Sequence, residues 1–349
     1  MFKGIRFIGT GIISLIAGCG GGDGVAVGVG AAPIISRTYV GTQSPGDAWS
    51  VQIADTTFTA INTTKNITVS GSAATQPSGY KKLTVTSVSA GAAGIVVGDI
   101  GYAVELPSTA VIVYVGTGLP IIAASSGACP TQNTKYNWIT VPSTSWTPVS
   151  RAYGTVMSTV TGPNFAFDLV NKTIYGNPTS ATPTSSSTGW TCAAGAFSNS
   201  GDPTTTIGIS PSGAFVSDDG LNAGGKMGVP QVAVTAADLK GKQFIGVQWS
   251  VATRTEPIGG LIDSVNGTSL TASRFSDPSN GIVDISQNIT LSYTNASSGI
   301  LTSSFSTNQC NLLDRPLALA VSQIGGKYFM YGISVNGNCQ PYNIAVVEK

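Results

Sequence analysis

The run Pro316-Leu317-Ala318-Leu319-Ala320-Val321-Ser322-Gln323-Ile324-Gly325-Gly326-Lys327-Tyr328-Phe329-Met330-Tyr331-Gly332-Ile333-Ser334-Val335 decides the fold class. Pro316 to Ser322 and Tyr328 to Val335 are strand-like, and Gly325-Gly326 between them is a two-residue hairpin signal. Such a loop needs positive φ at both central residues, which glycine adopts without steric cost. Carried outward, the register brings Cys310 and Cys339 to the far end of the same hairpin.

The pattern repeats on both sides. Phe244 to Val251, Gly259 to Val265, Thr268 to Phe275, Gly281 to Ile285, Ile289 to Tyr293 and Ile300 to Phe305 precede this hairpin, and Asn343 to Val347 follows it. Asn266-Gly267 reads as a type I′ turn. Ala236 to Gly241 is the one plausible helical turn. Short strands at even spacing argue an antiparallel meander or barrel of about eight strands over residues 201–349. Residues 47–200 read as a first β domain, with a hairpin around Asn62-Thr63-Thr64-Lys65 and strands at Lys82 to Ser87, Gly101 to Leu106, Ala110 to Gly116 and Phe165 to Tyr175. Asn177 to Thr191 is a Ser/Thr/Pro-rich loop, and Thr205 to Ser210 pairs with Ala214 to Ser217 around Pro211-Ser212-Gly213. The fold class is therefore all-β, in two antiparallel β domains.

The first residues carry the address. Lys3 and Arg6 form a cationic start, and Phe7 to Ala17 is an uncharged, mostly apolar core of eleven residues. That is signal-peptide length and short of the ~20 apolar residues a membrane span needs. Leu15-Ile16-Ala17-Gly18-Cys19 resembles the lipobox of bacterial lipoproteins. The resemblance implies a leader over residues 1–18, cleaved so that Cys19 becomes a lipid-bearing N-terminus inserted in the membrane. Ile16 stands where leucine is commonest. Gly20 after the Cys implies, by the same resemblance, release to the outer membrane. Residues 19–46 then read as a Gly-rich tether with a reach of roughly 30 Å. The mature part is similar to β-rich lipoproteins of Gram-negative bacteria. Asp238-Leu239-Lys240-Gly241 leading into Phe244 to Trp249 resembles the start of lipocalin-type barrels. The Gly-x-Trp of that family is here spaced as Gly246-x-x-Trp249.

Composition limits the chemistry. Losing Lys3 and Arg6 with the leader takes 17 basic residues to 15, against 16 acidic ones, and only 9% of residues are charged. No basic patch exists to neutralise phosphates, which argues against a nucleic-acid partner. The chain has no histidine, which removes Ser-His-Asp and Cys-His catalysis and His-ligated zinc. No cofactor or metal is implied. Ser78-Gly79-Tyr80-Lys81 fits Ser-x-x-Lys by spacing, but Pro77 and Gly79 argue a turn rather than the helix that dyad needs.

Four cysteines remain beyond Cys19, an even number that suggests two disulfides in an exported chain. Cys310 pairs with Cys339 across the hairpin, which leaves Cys129 to Cys192. Trp138 and Trp146 share an irregular stretch and are the candidate sugar-binding pair. Asp219 and Asn222 come nearest to a calcium loop, and Asp218-Asp219 is the densest acidic spot. Glu105, Glu256 and Asp263 read as isolated surface acids. The expectation is a non-enzymatic, membrane-anchored binding or structural module of the envelope, with an unknown envelope or extracellular partner. The alternative is a glycan- or peptidoglycan-directed hydrolase using Asp and Glu alone.

Overall fold

The computed structural model describes residues 35–43, 47–89, 94–116, 118–125, 129–141, 152–174, 181–182, 186–202, 205–209, 214–218, 225–250, 253–295, 298–304, 317–334 and 342–349. Every sheet pairing among them is antiparallel, and the only helix is a single turn.

Eight strands form a first closed barrel: β1 Arg37–Gln43, β2 Asp47–Ile53, β3 Thr57–Asn62, β4 Ile67–Thr75, β5 Lys81–Val88, β6 Ile100–Leu106, β7 Ala110–Val115 and β8 Ile121–Ser125. A nine-stranded sheet follows: β9 Thr134–Val141, β10 Ala152–Thr161, β11 Asn164–Ile174, β12 Ala181–Thr182, β13 Ser186–Ala193, β14 Ala196–Ser198, β15 Thr206–Ile209, β16 Phe215–Asp218 and β17 Gly225–Pro230. Its order is β10-β9-β17-β16-β15-β14-β13-β11-β12, and the further pairing of β10 with β11 closes a ring; β12 pairs with Lys172 and Thr173 of β11, further along the edge that β13 takes at Asn164 to Asp168. The turn α1 Ala236–Leu239 leads into a last closed barrel: β18 Gln243–Ser250, β19 Thr253–Ile262, β20 Ser269–Asp277, β21 Ile282–Asn295, β22 Ile300–Ser304, β23 Leu317–Ile324, β24 Lys327–Ser334 and β25 Asn343–Glu348.

Each barrel has a glycine at its closing seam. Gly41 of β1 faces Ala123 of β8, and a Cβ there would sit 1.9 Å from the Ile122 carbonyl oxygen. Gly246 of β18 faces Val346 of β25, with a virtual Cβ 2.0 Å from the Ala345 oxygen. Only a residue without a side chain lets the first and last strands approach this closely.

Burial patterns show how the three layers become one body. β2 and β3 alternate buried with partly exposed residues, as strands with one solvated face do. β8 and β23 are buried on both faces. Their second faces meet in a shared core containing Ile112, Ile122, Met227, Trp249, Ala320 and Tyr331, drawn from all three sheets. Residues Ile35–Lys349 accordingly form one compact unit. Tyr80 fastens the first barrel to the last: its hydroxyl lies 2.5 Å from the Gly246 oxygen and 2.7 Å from the Ile258 oxygen. Asn343 Nδ2 donates to the Thr140 oxygen at 2.8 Å and ties the middle sheet to the last barrel.

The sequence reading holds at the last barrel, which has eight strands. Gly325 and Gly326 have φ of 59° and 80°, and Ile324 pairs with Lys327 as the two-residue turn requires. The Asn266-Gly267 turn is different. Asp263 accepts backbone N–H groups from Val265, Asn266, Gly267 and Ser269 at 2.7–3.1 Å and organises a six-residue loop between β19 and β20. Those bonds, the one from Asn266 foremost, hold its carboxyl down at about 2.

The layout of the first two hundred residues also differs from expectation. The boundary at 200/201 falls inside the middle sheet, between the paired strands β14 and β15. The stretch Asn177 to Thr191, read as a Ser/Thr/Pro-rich loop, holds β12 and most of β13. β1 lies within the stretch read as tether.

Cys129 and Cys192 are joined, at a sequence separation of 63. The bridge ties the segment after β8 to β13 and restrains a long loop of the unfolded chain. Replacing both cysteines by serine is expected to cost about 2–4 kcal/mol, read as a lower denaturant midpoint under oxidising conditions. A midpoint equal to that of the native chain would mean the loop carries no such restraint. Cys310 and Cys339 lie outside the described residues.

Candidate functional site

Strand alternation points every second residue of the first barrel into its lumen, and the lumen is not uniform from end to end. At one end the inward residues are charged. The Glu105 side chain is 3% exposed; it accepts from Arg37 Nε at 2.5 Å, Arg37 Nη2 at 3.0 Å and the Tyr39 hydroxyl at 2.6 Å. Lys81 Nζ lies 3.4 Å from its second oxygen. Burial pushes the Glu105 carboxyl up, but the bonds from Arg37 and Tyr39 and the charge of Lys81 outweigh it and leave the carboxyl below its ordinary 4.5. Burial, reinforced by this carboxylate, pushes the Tyr39 phenol up in turn. The group closes that end of the barrel with a network in which the carboxylate is satisfied.

Above this plug the lumen opens into a cavity of about 520 Å³. Its apolar wall includes Trp49, Phe58, Ala60, Val69, Val113 and Ile121, with Ile95 contributed by the loop between β5 and β6. Its rim is polar. Asp47 Oδ2 accepts from Asn62 Nδ2 at 2.9 Å and from Lys65 Nζ at 2.7 Å, and Gln43 Nε2 donates to the Leu119 oxygen at 2.6 Å. Trp49 is 5% exposed, and its indole N–H has no acceptor among the described residues. A buried donor without a partner carries a desolvation cost, so it is a natural hydrogen bond for a guest to complete. An apolar chamber with a few convergent polar groups, in the common size range of roughly 300–1,000 Å³, is the usual form of a small-molecule site. The interior of the last barrel contrasts with it: Phe244, Leu319, Met330 and Val346 leave a space of only about 40 Å³.

No protein-family model and no curated protein matches the chain. Among solved structures it is similar to a point mutant of the vaccine antigen Transferrin Binding Protein B from Haemophilus parasuis Hp5. That alignment has 9% identity, covers 91% of this chain and 75% of that chain, and has a TM-score of 0.24.

The sequence-derived candidates fall elsewhere. Trp138 is on β9 and fully buried, packed with Phe165, Trp190 and Phe197 in the core of the middle sheet, so it offers no face to a sugar. Its neighbours on β9 looked irregular because Asn137 and Thr140 interrupt the apolar pattern; both side chains hydrogen-bond instead. Cys19, Trp146, Asp219 and Asn222 lie outside the described residues. Glu105 and Glu256, read as surface acids, have side chains that are almost covered and paired with arginines. The missed residue with most consequence is Trp49. Its signal was the alternation Trp49-x-Val51-x-Ile53 just ahead of Phe58-x-Ala60-x-Asn62, which puts one face of two adjacent strands into a common lumen.

Proposed function

We propose that this chain is a lipid-anchored binding module of the bacterial envelope, held at the outer membrane through Cys19, that works by holding a ligand rather than by catalysis. The observation that carries this reading is the calyx of the first barrel with, on its wall, the Trp49 indole that no described residue accepts from. The wall selects an apolar molecule, and Trp49 selects one with a carbonyl or carboxylate oxygen. The polar rim keeps the mouth wetted and leaves the depth dry. The leader supports the location, since a binding module on a tether samples ligands close to the membrane.

The test is equilibrium binding of a fluorescent medium-chain fatty acid to the full chain. Saturable binding at one site is expected. Trp49→Phe should weaken it roughly 3–10-fold, the worth of one hydrogen bond, while leaving binding of the matching hydrocarbon unchanged. Ala60→Trp should fill the cavity and abolish both. Binding that survives Ala60→Trp in a folded protein would place the ligand elsewhere and sink the proposal.

A further inference from the structure

The first and last barrels enclose a second recess, of about 430 Å³, outside both lumens. Its walls are aromatic on both sides. Tyr102 and Tyr114 project from β6 and β7, with ring centroids 6.0 Å apart and 38° between planes. Phe275 projects from β20. Tyr80 sits between the walls, edge-on to Tyr102 and to Phe275 with both centroid distances at 6.1 Å. The Tyr102 hydroxyl is 3.2 Å from Ser279 Oγ, so this ring is fixed to the opposite barrel.

The polar side of the recess is equally fixed. Arg274 Nε donates to Asp284 Oδ2 at 3.1 Å and Nη2 to the same oxygen, while Nη1 donates to Glu256 Oε1 at 3.3 Å. Glu256 Oε2 accepts from the fully buried Gln248 at 3.1 Å. Tyr114 is 6% exposed and lines the recess. Burial pushes that phenol up, as do the neighbouring Tyr102 and Glu256, so it keeps its proton and can donate.

We propose that this recess is a saccharide-binding site: the rings of Tyr102 and Phe275 take the apolar face of a neutral sugar, and Tyr114, Arg274 and Asp284 take its hydroxyls. The sign of the charges decides the ligand class. Arg274 stands between the two carboxylates, so a cation meets the guanidinium and an anion meets the acids. A hydroxyl-rich neutral molecule meets neither conflict. Vicinal hydroxyls both donate and accept, and the recess offers both functions side by side: the Tyr114 O–H and the remaining guanidinium N–H groups donate, and Asp284 accepts. The aromatic rings supply broad apolar area at little entropic cost. Tyr114 borders the calyx as well as this recess, whereas Tyr102, Arg274, Phe275 and Asp284 border the recess and not the calyx, and the site stands where the sequence showed only scattered acids and tyrosines.

The experiment is a calorimetric titration of the full chain with cellobiose, maltose and chitobiose, with trilysine and tricarballylate as charged probes. At least one disaccharide should bind saturably, and neither charged probe should. Tyr114→Phe keeps the packing and should weaken the disaccharide roughly 3–10-fold. Asp284→Asn, on a partly exposed strand, should weaken it as well. Phe275→Ala should cost about tenfold or more, with Tyr114→Phe deciding the matter if that variant does not fold. Ala60→Trp in the calyx should leave saccharide binding unchanged, which separates this site from the first. Trilysine binding in place of any saccharide would overturn the proposal, and so would disaccharide affinity indifferent to Tyr114→Phe and Asp284→Asn together.

Discussion

Replacing Glu105 by glutamine is expected to destabilise the protein by about 3–5 kcal/mol, the largest effect of any single polar substitution in the first barrel. The side chain is 3% exposed and balances the charge of two cations inside the lumen, Arg37 and Lys81. Glutamine has nearly the same shape, so packing is preserved and the loss reports the charge together with the one acceptor oxygen that an amide nitrogen replaces. The guanidinium and ammonium, 18% and 13% exposed, would be left largely out of water with no counter-charge, which is the costly outcome for an ion-pair cluster. The triple replacement Arg37→Met, Lys81→Met, Glu105→Leu should therefore be less harmful than Glu105→Gln alone, because it removes the charges together. Denaturant unfolding of the two variants gives the comparison. A Glu105→Gln protein as stable as the native chain would show that the cluster is solvated and does not plug the barrel.

The same carboxylate sets an acid limit. Its folded value lies below its ordinary 4.5, so the native state binds that proton less tightly than the unfolded chain does. The stabilisation is complete above the ordinary value and is lost as the pH falls through the lowered one. The native protein should lose its advantage over Glu105→Gln as the pH falls below the ordinary 4.5 and through the lowered value. A gap that widens in acid would contradict the assignment.

What could be read from residues alone, and what could not, follows the range of the interactions. The Gly325-Gly326 hairpin, the turn at Ala236 and the all-β class are local, set by turn chemistry and alternation within a few residues. The union of Cys129 with Cys192 was reachable by parity once the Gly325-Gly326 hairpin had set Cys310 against Cys339. Ring closure was not, because nothing near Gly41 or Gly246 announces that its partner lies at Ala123 or Val346. The acids were misread for the same reason. Glu105 looks solitary on β6 until a strand 68 residues away brings Arg37 to it, and Glu256 until β20 brings Arg274. Trp138 reads as an exposed aromatic among polar neighbours; only the middle sheet folding over it makes it core. The calyx and the recess are both products of these long-range closures, so their residues carry no shared local motif.

Tyr80 tests whether the barrels stand or fall together. Its ring is fully buried between them, and its hydroxyl reaches two backbone oxygens of the last barrel and accepts the Gly246 N–H at 3.2 Å. Tyr80→Phe keeps the ring and should cost about 0.5–1.5 kcal/mol, the net worth of the hydrogen bond. Tyr80→Ala also empties the space between the aromatic walls and should cost about 3–5 kcal/mol. The diagnostic is where that loss is felt. A residue that served only its own barrel would lower hydrogen-exchange protection in β4 to β7 and leave β24 and β25 untouched. The shared core of Ile112, Met227, Trp249 and Tyr331 remains in the variant, so the unit should still open as a whole. Protection should then fall by the same free energy in the inner strands of both barrels. Loss confined to the first barrel would mean the interface is a contact between separately stable domains, and the recess between them could not be held to the geometry a ligand needs.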